Sequence, residues 1–146
     1  MNRNILITGS SQRIGKALCL YFAKKGWNIA IHFNKSKKQA EVLKKEIEQY
    51  GVKCVHIQGN LLNAKIIKGL IASVKKKLGN IDCIINNASI FNNDSILNFS
   101  EKSWNEHIKI NLFAPATFIK EFSKIKNSSQ NKSIINILDQ RIFKLT

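Results

Sequence analysis

The sequence predicts an α/β domain built on a doubly wound parallel sheet, incomplete at five strands in the order 3-2-1-4-5. Short apolar, β-rich runs alternate with longer amphipathic stretches, as consecutive β-α units require. Gly26, Gly51 and Gly79 follow the first three amphipathic stretches, where a residue tolerant of left-handed backbone ends a helix. The right-handed crossover rule then orders the strands and puts ligands at the carboxyl ends of strands one and four.

The strands read as Asn4–Thr8, Asn28–Phe33, Lys53–Gln58, Asp82–Asn86 and Ser133–Leu138. Helices are expected at Ile14–Lys25, Lys37–Tyr50, Ala64–Leu78 and Lys102–Lys126. No linker or repeat interrupts them, so residues 1–146 form one domain, large enough for a real core.

Composition narrows the partners. The formal charge is +15, yet the basic residues are mostly lysines spread over every expected helix with little aromatic interleaving. That describes a solvated surface, not a specific nucleic-acid face, although it would attract a polyanionic cofactor. Cys19, Cys54 and Cys83 are odd in number and sit in apolar runs, so they read as buried free thiols. His32, His56 and His107 are too scattered for a metal site. No run approaches the length of a membrane span and no signal peptide opens the chain, so a cytoplasmic location is expected.

The first strand runs into Thr8-Gly9-Ser10-Ser11-Gln12-Arg13-Ile14-Gly15 and then a helix. Free N–H groups and the helix dipole at such a turn favour a pyrophosphate, which Ser11, Arg13 and Ile14 would line. Gly9 makes the tight turn, and Gly15 lets the helix pack closely. The turn resembles the Thr-Gly-x-x-x-Gly-x-Gly element of short-chain dehydrogenases/reductases, a family with a Rossmann-like fold. Arg13 stands where the family usually has its second glycine. That departure is similar to NADPH-dependent members such as pteridine reductases, in which the resemblance sets Arg13 beside the adenosine phosphate.

After the second strand come Asn34-Lys35-Ser36, where an NAD-selective site needs an acid for the ribose hydroxyls. None is present. Lys35 and Ser36 offer a charge and a hydroxyl to a 2′-phosphate, and with Arg13 they favour NADP(H) over NAD(H). Asn60 and Leu61, after the third strand, fall where the family contacts adenine, with Asn60 replacing the usual Asp. Asn86-Asn87-Ala88-Ser89 resembles the family's Asn-Asn-Ala-Gly segment, in which Asn87, Ala88 and Ser89 approach the cofactor. Ser89 in place of glycine, followed by Phe91, is again similar to pteridine reductases, where the aromatic ring stacks on a flat substrate; a lid or core role for Phe91 is the alternative.

Asn111 precedes Pro115 by four residues, which predicts a carbonyl freed of its helical partner. In the family an Asn here holds a water of the proton relay. Asp139 falls at the family's substrate-orienting serine, a further departure shared with pteridine reductases. A carboxylate there could relay a proton, or simply cap the loop.

The family's catalytic Tyr-x-x-x-Lys follows the fifth strand, and the chain has none there. Its tyrosines are Tyr21 and Tyr50, and Tyr21 with Lys25 lies on the first helix. The resemblance therefore implies the NADP(H)-binding part of an oxidoreductase, truncated before that motif. Such an enzyme would transfer hydride to a pteridine-like C=N or a carbonyl of a small-molecule substrate, and its full-length form would be a homo-oligomer. A 3-oxoacyl-carrier-protein reductase and a catalytically inactive nucleotide-binding fragment are the alternatives. Without its later units, the apolar side chains of Phe113, Phe118 and Phe122 are expected to lose their neighbours.

Overall fold

Five parallel strands form the sheet of the computed structural model, which describes residues 3–93, 95–125 and 132–139. They are β1 (Asn4–Ile7), β2 (Asn28–Phe33), β3 (Cys54–Gln58), β4 (Cys83–Asn86) and β5 (Ser133–Asn136), in the order β3-β2-β1-β4-β5. That is the order expected, with strand ends within two residues of those read from the sequence. Central strands are buried on both faces, which is why they read as unbroken apolar runs. Leu6 pairs with Ala30 and Ile84, and Ile7 with Ile31 and Ile85.

The two-residue period of each strand sorts the core into layers. Ile5, Ile7, Ile29 and Ile31 pack with Cys19, Ala23, Leu43 and Ile47, the inward residues of α1 (Arg13–Lys24) and α2 (Lys37–Glu48). Leu6, Ala30 and Ile84 pack on the other face with Ile67, Ile71 and Val74 of α3 (Ile67–Leu78) and with Phe118 and Phe122. Each Val, Leu, Ile or Phe among them, fully buried, contributes about 1.5–3 kcal/mol. Gly26, Gly51 and Gly79 have φ of 80°, 73° and 93°, as helix-ending glycines should. The three cysteines are free and buried; desolvation raises the thiol pKa of Cys19 to about 12 and of Cys83 to about 11, leaving both protonated at neutral pH.

Two expectations are corrected. The stretch read as one helix over Lys102–Lys126 is α4 (Glu101–His107), a π-helical stretch (Ile108–Phe113) and α5 (Ala114–Ser123), and Lys126 lies outside the described residues. Pro115 sits in the first turn of α5, where its missing N–H is harmless, and the wider π register takes up the disruption before it. The second correction concerns the phenylalanines. Phe118 and Phe122 are 1% and 2% exposed because they face α3 and β4, and only Phe113 is open. Among the described residues no helix is long and apolar enough to cross a membrane.

Candidate functional site

At the carboxyl edge of the sheet, β1 and β4 are laced together by two side chains. Thr8 Oγ1 accepts from the N–H groups of Asn87 (3.0 Å) and Ala88 (2.9 Å), while Asn87 Nδ2 donates to the carbonyls of Thr8 (2.9 Å) and Gly9 (3.1 Å). The lacing brings the backbones so close that two glycines are obligatory. A Cβ on Gly9, whose φ is 59°, would lie 2.8 Å from Ala88 Cα. One on Gly15 would lie 2.5 Å from Ser10 Cα and 2.7 Å from Asn87 Nδ2. Gly15 thus serves the approach of α1 to the turn and the β4 loop, more than its packing on the sheet.

Arg13 is the non-glycine residue with positive φ among those described, at 52°. An L side chain in that region costs roughly 1–2 kcal/mol, which accounts for glycine as the ordinary choice there. The N-cap of α1, Gln12, makes no side-chain cap hydrogen bond and the first turn carries no acid, so its N–H groups suit an anion. The same holds for α2: its N-cap, Ser36, directs Oγ to Ser11 Oγ at 2.7 Å instead of to its own helix. Between the two helix starts lies an open pocket of about 410 Å³ lined by Ser11, Gln12, Arg13, Lys16, Lys38, Gln39 and Val42. Two uncapped helix starts with Arg13 and Lys38 and no carboxylate among the lining residues fit a phosphate-bearing ligand, although Lys16 is already paired with Glu46 at 2.8 Å. Lys35 is exposed just before this helix start, and Asn34 is exposed with its carbonyl accepting from Gln58 Nε2.

On the β3 side Asn60 is exposed, its Oδ1 capping the N–H of Leu62 at 3.1 Å, so its amide N–H groups remain for a ligand. Leu61 is buried in the α3 layer, which leaves only its main chain to contact one. Between this loop and the glycine turn lies His32, 2% exposed. Gly9 N–H donates to His32 Nδ1 (3.1 Å), and Nε2 is 3.1 Å from the Gly59 carbonyl. Burial lowers its pKa to about 4, so the ring is neutral with its proton on Nε2. Sequence reading missed it, although a polar residue within a wholly buried strand must have partners.

The opposite side of the edge is more open. Asn111 pairs with the main chain of Ile90 in both directions, accepting from its N–H and donating to its carbonyl at 2.9 Å each. One helical turn earlier, His107 Nε2 accepts from Asn92 N–H at 3.1 Å, and its Nδ1 lies 2.8 Å from the Ser103 carbonyl. These two residues hold the segment on either side of Phe91, whose ring is 79% exposed. Sequence reading had marked the Asn111 main chain; the structure shows its side chain at work. Ser89 and Asp139 each lie three residues beyond the paired Asn86 and Asn136, so the parallel register sets them at one edge, both exposed. Ile14 and Ser11 flank the turn, Ile14 exposed and Ser11 buried. Tyr21 and Lys25 do not join the site: Lys25 Nζ lies 5.8 Å over the Tyr21 ring at the far end of α1.

The short chain dehydrogenase family model matches residues 3–140. The 3-oxoacyl-[acyl-carrier-protein] reductase FabG of Staphylococcus epidermidis is 31% identical over 137 residues, which are 94% of this chain and 56% of that protein. The structure of FolM alternative dihydrofolate reductase 1 from Brucella suis, in complex with NADP, superposes with a TM-score of 0.92 at 30% identity, over 99% of this chain and 60% of that one. A short chain dehydrogenase from Burkholderia cenocepacia gives the same TM-score at 22% identity, covering 99% of this chain and 58% of that one. The chain spans little more than half the length of the relatives it matches.

Proposed function

The chain belongs to the short chain dehydrogenase family, and from that premise we propose that it is the NADP(H)-binding part of an NADPH-dependent oxidoreductase acting on a pteridine-like C=N or a carbonyl. The observation that carries the reading is the pair of uncapped helix starts around Arg13, Ser11 and Ser36, beside a glycine turn into which no Cβ fits. When bound, NADPH supplies a hydride. This chain's residues do the holding. The Thr8–Gly15 turn and the first N–H groups of α1 take the pyrophosphate, Arg13, Lys35 and Ser36 take the 2′-phosphate, and Asn60 takes the adenine side. Asn87, Ala88 and Ser89 approach the ribose, Phe91 and Asp139 face the substrate, and the Asn111 clasp on Ile90 keeps that segment in place.

Calorimetry with both dinucleotides tests this. NADPH is expected to bind at least tenfold more tightly than NADH, and Lys35→Asp to reverse the order by setting a carboxylate against the phosphate. Equal affinities would refute the assignment. The 146-residue chain has no Tyr-x-x-x-Lys after β5, so alone it is expected to bind without turning over.

For the substrate, Ser89, Phe91 and Asp139 and the likeness to an alternative dihydrofolate reductase support a flat pteridine. The likeness to FabG favours a 3-oxoacyl thioester as the second reading. Dihydropterin and acetoacetyl thioester, offered to the chain joined to a segment carrying the missing acid, separate them.

A further inference from the structure

Resting on the NADP(H) reading above, we propose that His32 is a positioning residue that fixes the spacing between the pyrophosphate turn and the adenine-side loop through one neutral imidazole. Its two ring nitrogens reach two different strand ends. Nδ1 accepts from Gly9 N–H at 3.1 Å, after β1, and Nε2–H donates to Gly59 O at 3.1 Å, after β3. Its main chain is tied to the same turn, with His32 O accepting from Ser10 N–H at 2.9 Å and His32 N–H donating to Ser10 Oγ at 3.2 Å. Ser10 Oγ in turn donates to Ile7 O at 2.7 Å.

β1 and β2 are paired neighbours, and so are β2 and β3, and one main-chain bond continues each pairing into its loop, Ser10 N–H to His32 O and Gly59 N–H to Phe33 O at 2.9 Å each. Those bonds tie each loop to β2 separately, whereas the imidazole joins the β1 loop and the β3 loop through a single rigid group. A dinucleotide touches both loops at once, so its affinity depends on their separation in a way that a ligand of one loop does not. The clasp works only in one protonation state and one tautomer. A proton on Nδ1 would set donor against donor at Gly9. Burial keeps the ring neutral, in keeping with a pKa lowered to about 4.

The test uses the 146-residue chain, two variants and two ligands. His32→Phe keeps a ring of similar volume and removes both bonds. His32→Gln restores an acceptor and a donor at similar separation on one amide. For His32→Phe the NADPH dissociation constant is expected to rise roughly ten- to a hundredfold. The constant for nicotinamide mononucleotide, which has no adenine and so reaches the pyrophosphate turn without the adenine-side loop, should rise less than about threefold, and His32→Gln should recover most of the NADPH loss. Nitrogen-15 spectra of the wild-type ring should show Nε2–H with Nδ1 unprotonated, and this measurement stands even where His32→Phe does not fold.

A ring protonated on Nδ1 overturns the proposal. So does NADPH affinity unchanged in His32→Phe, or equal weakening of both ligands with no recovery in His32→Gln, which marks a merely structural histidine. Wild-type protein with the Nε2–H ring that binds no NADPH refutes the cofactor reading instead.

Discussion

The two sides of the sheet edge are built differently. On the β1–β2–β3 side every residue of β1 and β2 is buried, the turn is laced to β4 through Thr8 and Asn87, and the His32 ring is enclosed. On the β4–β5 side the residues of β5 are exposed or half-buried, and Phe91, Ser89 and Asp139 all lie open. A nucleotide that is the same in every catalytic cycle can be met by a rigid cradle fixed by the core. The β4–β5 side, which we propose faces the substrate, depends on loops and on clasps such as Asn111 on Ile90, whose hydrogen bonds are water-exposed and individually weaker.

The sharpest way to break this contrast is Gly15→Ala. The new Cβ meets Ser10 Cα at 2.5 Å and the Gly9 carbonyl at 2.7 Å, backbone atoms with no rotamer to escape into. A loss of about 2–3 kcal/mol in stability and of at least a hundredfold in NADPH affinity is expected, by denaturant titration and calorimetry. A variant that binds normally would mean the cradle is not rigid. Gly69→Ala is the control from the first turn of α3, which a 3-10 turn at Ala64–Ile66 leads into and where nothing lies within 4 Å of the new methyl; it should stabilise the protein by about 0.5–1 kcal/mol.

His32 supplies the next effect through pH. Its pKa is lowered from 6.5 to about 4 on folding, so the folded state holds the neutral ring. The contribution is complete above about pH 6.5 and is lost as pH falls towards 4, reaching on the order of 3 kcal/mol below that value. The difference in unfolding free energy between wild type and His32→Gln should therefore narrow between pH 7 and pH 4. A difference that stays constant over that range would show that the ring titrates in the fold as it does in the unfolded chain, and one that widens would show that the fold holds it charged.

Much of this contrast could be read in the sequence. The strand order follows from runs such as Ile29-Ala30-Ile31 and from glycines that end helices, because parallel strands buried on both faces leave a continuous apolar trace. The cradle was legible because Gly9 and Gly15 answer to close approach, a constraint local to the turn. His32 escaped, since its partners at Gly9 and Gly59 are distant in sequence and its neighbours look like ordinary core. The clasps of His107 and Asn111 escaped for the same reason. Pro115 was read as freeing the Asn111 carbonyl within one continuous helix, since the π register that absorbs the disturbance over Ile108–Phe113 leaves no mark in composition.

The smallest effect on the fold belongs to the open side. Trp104, Ile108 and Leu112 follow one another at four-residue steps along α4 and the π-helical stretch, each well exposed, with Leu112 at 62%. Contiguous exposed apolar surface favours association, and β5, which ends the sheet among the described residues, offers a main-chain edge that can template a further strand. A net charge of +15 opposes both, but it is spread over the surface and acts through a screened field, whereas the apolar contact is short-ranged. The chain should therefore self-associate at micromolar concentration and do so more as salt rises. Leu112→Lys removes apolar surface without touching the core, so its unfolding free energy should stay within about 0.5 kcal/mol and its NADPH affinity within about twofold. Its sedimentation coefficient should shift towards the monomer. A wild-type chain that sediments as a monomer at high salt would show that this face is not adhesive, and a Leu112→Lys variant that lost NADPH affinity would show that the two sides of the edge are coupled after all.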